Sequence, residues 1–256
     1  MFMCVAHRDD GVPAPVRHSN IGMGRKLAQM SQFPQEEMVD IAPLDRTGWL
    51  ASQTDDFRRW VASAGVWRTY APGQFIYQAG DASDGLYGLA EGGLEISFPL
   101  IAQEPVVVYR AEVGYWIGDN AELAELPRMV SLMAATECRI LQLPSREIRA
   151  VLAARPEHWR AFYRLSATNV NLLAVLLAEA LALTVRARVC RRLLQLSKES
   201  GDVEITQDDL ARLLGVARAT LRRTLADLAD LGGIELHYRK VNVRNRAVLV
   251  EYQDEQ

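Results

Sequence analysis

Arg218, Thr220, Arg222 and Arg223 fall within one short stretch near the end of the chain, and their side chains are of types that read nucleic acid. An arginine fork bonds bidentately to O6 and N7 of guanine, and a threonine hydroxyl serves a base edge or a phosphate. Such groups need one rigid face. The flanking sequence offers it, because Ile205 to Leu225 reads as helix, tight turn, helix. Thr206 caps the first helix with Asp209 three residues on, and Leu210, Leu213 and Leu214 face inward. Gly215 turns the chain, and Leu221, Leu225 and Leu228 seat the second helix on the first. That helix then shows Arg218, Thr220, Arg222 and Arg223 to solvent, as a base-reading face or as an ordinary solvated one. Its cap position holds Ala217, which lacks a capping oxygen. Ile234, Leu236 and Tyr238, an Arg239-Lys240 turn, then Val241 and Val243 predict a hairpin whose basic tip can reach a phosphate.

The charge distribution supports this placement. The 256 residues carry a net charge of only −3, yet Arg186 to Arg246 holds thirteen Lys/Arg against eight Asp/Glu, so that segment carries +5 and the remainder −8. An acidic body with a basic end is the footprint of a chain that meets nucleic acid with one part only. Cys4, Cys138 and Cys190 have no metal-ligand spacing and are too few for a disulfide framework, which predicts a reducing compartment with neither metal nor bridge. No apolar run is expected to span a membrane, since Glu179 and flanking polar residues bound Leu172 to Val185. No Ser/His/Asp set, metal-ligand cluster or P-loop is visible, so an enzyme is not expected.

Positioning falls to what precedes the basic end. Pro156 to Arg192 reads as one long helix, with Leu165, Leu172, Leu173, Leu176, Leu177, Ala180, Leu181 and Leu183 at three-to-four spacing. The stripe suits either a domain core or a helix paired with its twin. Earlier, Thr54 caps a short helix with Asp55 and Asp56 in its first turn, Phe57, Trp60, Val61 and Ala64 on its apolar face, and Gly65 at its stop. Glycine-bearing turns from Pro72-Gly73 to Gly118 then separate short strands. Leu94, Ile96 and Phe98 alternate with Glu95 and Ser97 to give one buried face, and Val106 to Tyr109 and Cys138 to Leu143 are further strands. Such a series predicts a barrel or roll.

The run from Gly80-Asp81 through Gly85-Leu86-Tyr87-Gly88 to Gly92-Gly93-Leu94-Glu95-Ile96 resembles the β-roll of the cyclic AMP receptor and fumarate-nitrate regulator (Crp/Fnr) superfamily. Gly114-Tyr115-Trp116-Ile117-Gly118-Asp119 is similar to the segment that opens its phosphate-binding cassette. The order roll, long helix, helix-turn-helix, wing is also that of the superfamily, and the resemblance covers about Trp49 to Val250. It implies an α+β fold: an N-terminal cyclic-nucleotide-binding-like β-roll (jelly-roll), a long dimerisation helix and a C-terminal winged helix-turn-helix. The expected division is residues 1–43 as a partly disordered extension, 44–155 as the sensor roll, 156–185 as the dimerisation helix and 186–256 as the DNA-binding domain.

The resemblance further implies a cytoplasmic bacterial transcription regulator whose partners are double-stranded DNA, a second copy of the chain and RNA polymerase, with no membrane. By position Arg218 and Arg223 look like base readers, Arg222 a base or backbone contact, and Thr206 and Thr220 backbone contacts. Ala219 stands where a glutamate often accepts from cytosine, so the target sequence should differ from that of the cyclic AMP receptor. Leu165, Leu172, Leu173, Leu176 and Leu183 would form the dimer interface. The ligand-binding candidates are Gly118, Asp119 and Arg128, for a cyclic nucleotide or another small effector, and no fixed cofactor is implied. Cys4 alone cannot hold an iron–sulfur cluster, and His7 and His18 lie in the extension.

Here the sequence departs from the family. The cassette's ribose-binding glutamate is replaced by Asp119, one methylene shorter, and its arginine, Arg128, is followed by Met129 instead of a small residue. Leu172 to Leu177 offers no hydroxyl to an adenine. A regulator that does not answer to cyclic AMP is therefore expected, with a cyclic-nucleotide-gated protein and a ligand-free constitutive binder as alternatives. An ion pair between Asp119 and Arg128 is expected to brace the cassette.

Overall fold

The computed structural model describes residues 39–99, 105–197 and 200–256, which form one compact unit. The extension, with Cys4, His7 and His18, lies almost wholly outside the described residues.

A short helix α1 (Gly48–Ala51) leads into α2 (Asp55–Ala64), which Thr54 caps by accepting the Phe57 N–H at 3.3 Å and which ends at Gly65, as the sequence predicts. Eight strands follow: β1 (Val66–Tyr70), β2 (Phe75–Tyr77), β3 (Gly85–Glu91), β4 (Leu94–Phe98), β5 (Val106–Ala111), β6 (Trp116–Ile117), β7 (Ser131–Ala134) and β8 (Cys138–Pro144). They pair antiparallel in two four-stranded sheets, ordered β1-β8-β3-β6 and β2-β7-β4-β5, which enclose a core of Leu89, Leu94, Leu132 and Ile140. Between β6 and β7 lies the one-and-a-half-turn helix α3 (Asp119–Ala124). The alternation along β4 holds on the core side. Its other face departs from expectation, because Glu95 is buried too. Arg212, from the C-terminal half, closes over that face with Nη2 3.8 Å from Glu95 Oε2.

Helix α4 (Ser145–Ala154) and a single 3₁₀ turn (Pro156–His158) connect the roll to α5 (Trp159–Ala182). Phe162 at its start packs into an aromatic cluster with Trp49, Phe57, Trp60, Trp116 and His158, Leu165 is buried as well, and Trp49 Nε1–H donates to the Ala161 carbonyl at 2.8 Å. Edge-to-face rings of this kind bury large apolar area while locking relative orientation, so the base of α5 is rigidly joined to the roll. Beyond it the helix leaves the core, and Val170, Leu173, Leu177 and Leu181 stand exposed, Leu181 at 79%. Pro156–Ala182 is also long and apolar enough to cross a membrane by length and composition, with a mean hydropathy of 1.6 over its best window. The sequence reading is corrected on length and composition only: the apolar run reaches past Glu179 to Ala182.

The single helix expected from Pro156 to Arg192 is two helices. Leu183 and Thr184 adopt extended backbone, and α6 (Val185–Leu196) restarts from Thr184, whose hydroxyl accepts the Ala187 N–H at 3.2 Å. A threonine in the right backbone region competes with helix continuation by capping the next helix instead. The C-terminal segment secures this break. Glu255 forms an ion pair with Arg186 and accepts from the Thr184 hydroxyl at 3.0 Å, while Arg191 reaches back across the break to Glu179 at 2.9 Å. Arg186 holds the Glu255 carboxyl below the usual carboxylate range.

The remaining elements are β9 (Asp202–Val203), α7 (Gln207–Leu214), α8 (Arg218–Asp230), β10 (Ile234–His237), β11 (Lys240–Val243) and α9 (Arg246–Tyr252). They share a second core in which Cys190, Leu193, Leu210, Leu221, Leu225 and Leu228 are fully buried.

Candidate nucleic-acid interface and effector cavity

Local chemistry builds the reading helix. Thr206 accepts the Asp209 N–H at 3.0 Å and returns its hydroxyl proton to Asp209 Oδ2 at 2.7 Å, so α7 starts on a closed cap. Gly215 ends it at φ 62°, the left-handed region that glycine enters without a Cβ penalty. Helix α8 then begins from Ala217, whose backbone is already extended (φ −63°, ψ 140°) and which supplies no side-chain cap. Arg218, Thr220, Arg222 and Arg223 are all exposed on α8, whereas Leu221, Leu225 and Leu228 face inward. Arg218 Nε lies 3.1 Å from Asp208 Oδ1, a half-exposed acid that orients the arginine without neutralising it by burial. Among the described residues no acid pairs with Arg222 or Arg223. Thr206 is committed to its cap, and only its oxygen lone pairs remain for another partner.

The hairpin is present with its turn one residue earlier than predicted. His237 pairs with Lys240, leaving Tyr238 and Arg239 at the tip, Arg239 at φ 57° and Tyr238 90% exposed. Lys240 begins β11 and is tied to Asp202 at 2.8 Å, which with Asn242 pulls the Asp202 carboxyl down to about 2. Among the described residues, Arg239 is thus the wing-tip cation with no acid paired to it.

The cassette residues converge, but not on one another. Gly118 sits at φ 108° just before α3, and a Cβ there would meet Arg128 Nη1 at 2.6 Å, so glycine admits the arginine beneath the loop. Arg128 is 3% exposed. Its Nη2 donates to Asp84 Oδ1 and to the Gly85 carbonyl, both at 2.8 Å, and its Nη1 to the Gly118 carbonyl at 3.3 Å. The guanidinium carbon lies 4.3 Å from the Tyr77 ring centre, and Nε is buried without a hydrogen-bond partner. Asp119, also buried, accepts from Asn169 Nδ2 on α5 at 2.7 Å. The expected Asp119–Arg128 ion pair is thus replaced by two separate partnerships, because the β3 loop brings Asp84 within reach of the arginine while α5 offers an amide to the aspartate. Neither Asp84 nor Asn169 was singled out in the sequence. Their partners come from distant parts of the chain, and no local signal marks them.

A cavity of about 290 Å³ opens between these groups and α5. Tyr77, Tyr109, Tyr115, Ile117, Val130 and Leu172 supply much of its wall, and Asp119, Arg128 and Asn169 its charged and amide groups. Burial raises the pKa of the Tyr77, Tyr109 and Tyr115 hydroxyls, which therefore stay protonated. Tyr109 faces two ways. Its ring lines the cavity, while its hydroxyl accepts from Gln195 Nε2 on α6 at 3.0 Å and its ring centre lies 5.7 Å from the Arg192 guanidinium carbon. Of the proposed interface residues, Leu173 is exposed, Leu172, Leu176 and Leu183 are half-buried, and Leu165 is buried at 1% in this chain's own core. Leu165 accordingly faces inward.

The cyclic nucleotide-binding domain family matches residues 67–155, and the Crp-like helix-turn-helix domain family matches residues 187–252. A CRP-like cAMP-activated global transcriptional regulator of Mycobacterium tuberculosis is 26% identical over 178 residues, covering 66% of this chain and 80% of the relative. The cAMP-activated global transcriptional regulator CRP of Escherichia coli is 22% identical over 203 residues, covering 75% and 95%. Among solved structures, a CRP/FNR-family transcriptional regulator of Thermus thermophilus superposes with a TM-score of 0.63 at 20% identity, covering 74% of this chain and 99% of its own. FixK2 of Bradyrhizobium japonicum gives 0.65 at 16%, covering 73% and 96%. At these identities the structural likeness speaks for the fold.

Proposed function

We propose that this chain, which belongs to the Crp/Fnr superfamily of DNA-binding transcriptional regulators, acts as a homodimer whose roll senses a small effector other than cyclic AMP and whose α8 reads an operator. The observation that carries the reading is the exposed α8 face, with Arg218, Thr220, Arg222 and Arg223 presented beside the Arg239 wing tip. Arg218 and Arg223 read bases, Arg222 contacts a base or the backbone, Thr220 donates to a phosphate, and Thr206 reaches one only by turning its hydroxyl proton away from Asp209. The superfamily comprises soluble cytoplasmic regulators, and the exposed stripe of Val170, Leu173, Leu177 and Leu181 is read as the surface a second copy covers instead of lipid. Pairing α5 in this way sets two recognition helices about one DNA turn, roughly 34 Å, apart. RNA polymerase is the proposed partner at the promoter. The proposed division is a sensor over 44–155, a dimerisation helix over 156–185 and a DNA-binding domain over 186–256.

Switching is proposed to run through the break at Leu183–Thr184 and through Tyr109, which touches both the cavity and α6. Two facts speak against cyclic AMP. Arg128 is already occupied by Asp84 and two carbonyls, and α5 meets the cavity mainly with Val170, Leu172 and Leu173, with the Ser166 hydroxyl and the Asn169 amide as its polar groups. Once an operator is selected from random duplexes, Arg223→Ala should cost about 1 to 3 kcal/mol and relax preference at one base pair. Equal weakening on every sequence would make Arg223 a phosphate contact. Unchanged DNA affinity in Arg218→Ala/Arg223→Ala would remove the DNA-reading assignment of this face.

A further inference from the structure

We infer that the cavity beside α5 binds an uncharged, planar aromatic molecule carrying a single hydroxyl or N–H donor, and does not bind a cyclic nucleotide or another anion. Its regulatory consequence rests on the function proposed above; binding itself does not.

Charge decides the first half. Arg128 is the one arginine or lysine among the described residues lining the cavity, and its positive charge is already matched by Asp84 at 2.8 Å. Three of its five N–H groups are committed to Asp84, Gly85 and Gly118. An anion would be left one Nη1 proton and the buried Nε proton, on a guanidinium whose charge is already matched by Asp84, itself anchored by the Tyr87 hydroxyl at 2.6 Å. It would also face the Asp119 carboxylate, a buried like charge with no cation paired to it in the cavity wall. Met129, next in sequence, occupies the cavity wall where a phosphate would need a small donor.

Shape and lining decide the second half. Tyr109 and Tyr115 hold their ring centres 5.4 Å apart, and Tyr77, under the Arg128 guanidinium, lines the same cavity from β2. Aromatic walls favour a flat ring system through offset stacking and edge contacts. About 290 Å³ is at the small end of ligand cavities and suits roughly one or two fused rings. Asp119 keeps one carboxylate oxygen without a hydrogen-bond partner from the described residues, since only Oδ1 takes Asn169, so it calls for a single donor on the guest. Leu172, Leu173 and Val170 of α5 close the last side, which places the guest against the proposed dimer stripe. An occupant pressing on Tyr109 is felt at Gln195 and Arg192 of α6.

The test titrates the full chain with 2-naphthol, 2-naphthalenesulfonate and cyclic AMP by calorimetry. DNA affinity is measured in the same preparation. The expected result is saturable 2-naphthol binding at one site per chain, about tenfold or more tighter than either anion. Asp119→Asn should weaken 2-naphthol about tenfold and narrow its advantage over the sulfonate. Ser166→Phe, which fills the cavity from a half-buried lining position on α5, should abolish the binding while far-UV dichroism stays unchanged. The sulfonate or cyclic AMP binding as tightly as 2-naphthol would overturn the inference, as would no binding of 2-naphthol or equal binding to Ser166→Phe, the mark of attachment to the outer apolar stripe. Loss of DNA affinity in the parent protein would instead count against the regulator reading and leave the binding result standing.

Discussion

Replacing Arg128 by methionine separates two roles that the same residue type can hold in this fold. If Arg128 were kept for a phosphate, it would be poorly satisfied without ligand, and its removal would leave stability nearly unchanged. The structure assigns it to the scaffold. Arg128→Met deprives the Gly85 carbonyl of its side-chain donor within a nearly fully buried site, at about 1 to 3 kcal/mol when left unpaired, while the Gly118 carbonyl keeps the Glu122 N–H at 3.0 Å. Loss of the guanidinium over Tyr77 at 4.3 Å removes about 1 kcal/mol more. Asp84 is more than half exposed and returns to water, so breaking that pair adds no more than about 1 kcal/mol. Methionine fills much of the stem volume and avoids burying a charge, which offsets part of the sum and leaves a net loss of about 2 kcal/mol. For a unit of this size that corresponds to a melting shift of roughly 4 to 8 °C. All five tryptophans precede residue 160, so intrinsic fluorescence follows the roll and its helices without interference from the DNA-reading half. Asp84→Asn is the internal comparison. It retains both carbonyl bonds and should lower the midpoint by only a few degrees. An Arg128→Met midpoint within about 2 °C of the parent would refute the scaffold role, and with it the reason for excluding anions from the cavity.

Ala217→Ser supplies the missing cap to α8 on a backbone already in the extended region, and should stabilise the DNA-reading half by about 0.5 to 2 kcal/mol. An unchanged calorimetric midpoint for that half would reject the observed helix start. His158 is buried between Phe57 and Trp60 with Nε2 unpartnered, and burial lowers its pKa. The unfolded chain therefore binds the proton more tightly than the folded one. Stability from this site is full above about pH 6.5, the ordinary histidine value, and falls as the pH drops below it. Urea midpoints of the parent should decline over that window, and His158→Phe should flatten the decline; an equal slope in both proteins would assign the acid sensitivity elsewhere.

Much of the DNA-reading end was legible because its causes are local. Thr206 and Asp209 cap each other three residues apart, Gly215 turns the chain, and the leucines of α7 and α8 meet across that turn. The hairpin was legible to within one residue, and the error has a definite origin. Lys240 and Arg239 are alike in sequence, and only the pairing of His237 with Lys240 and the presence of Asp202 on β9 place one in the strand and the other at the tip. The long helix was overextended for a similar reason: an apolar stripe shows periodicity but not the backbone turn at Thr184, which depends on Glu255 folding back from the far end of the chain.

The sequence by itself determined the order of parts, the family, the exposed arginine face of α8 and the anomaly of Met129 after Arg128, because residue types, caps and spacings along a continuous segment suffice for these. Only the tertiary structure decided what Arg128 and Asp119 do. Asp84 lies 44 positions from Arg128, Asn169 lies 50 from Asp119, and Gln195 lies 86 from Tyr109. Those partners are brought together by the antiparallel order of two sheets and by a helix laid across them, and a buried charge takes whichever counter-group the packing leaves within hydrogen-bond reach.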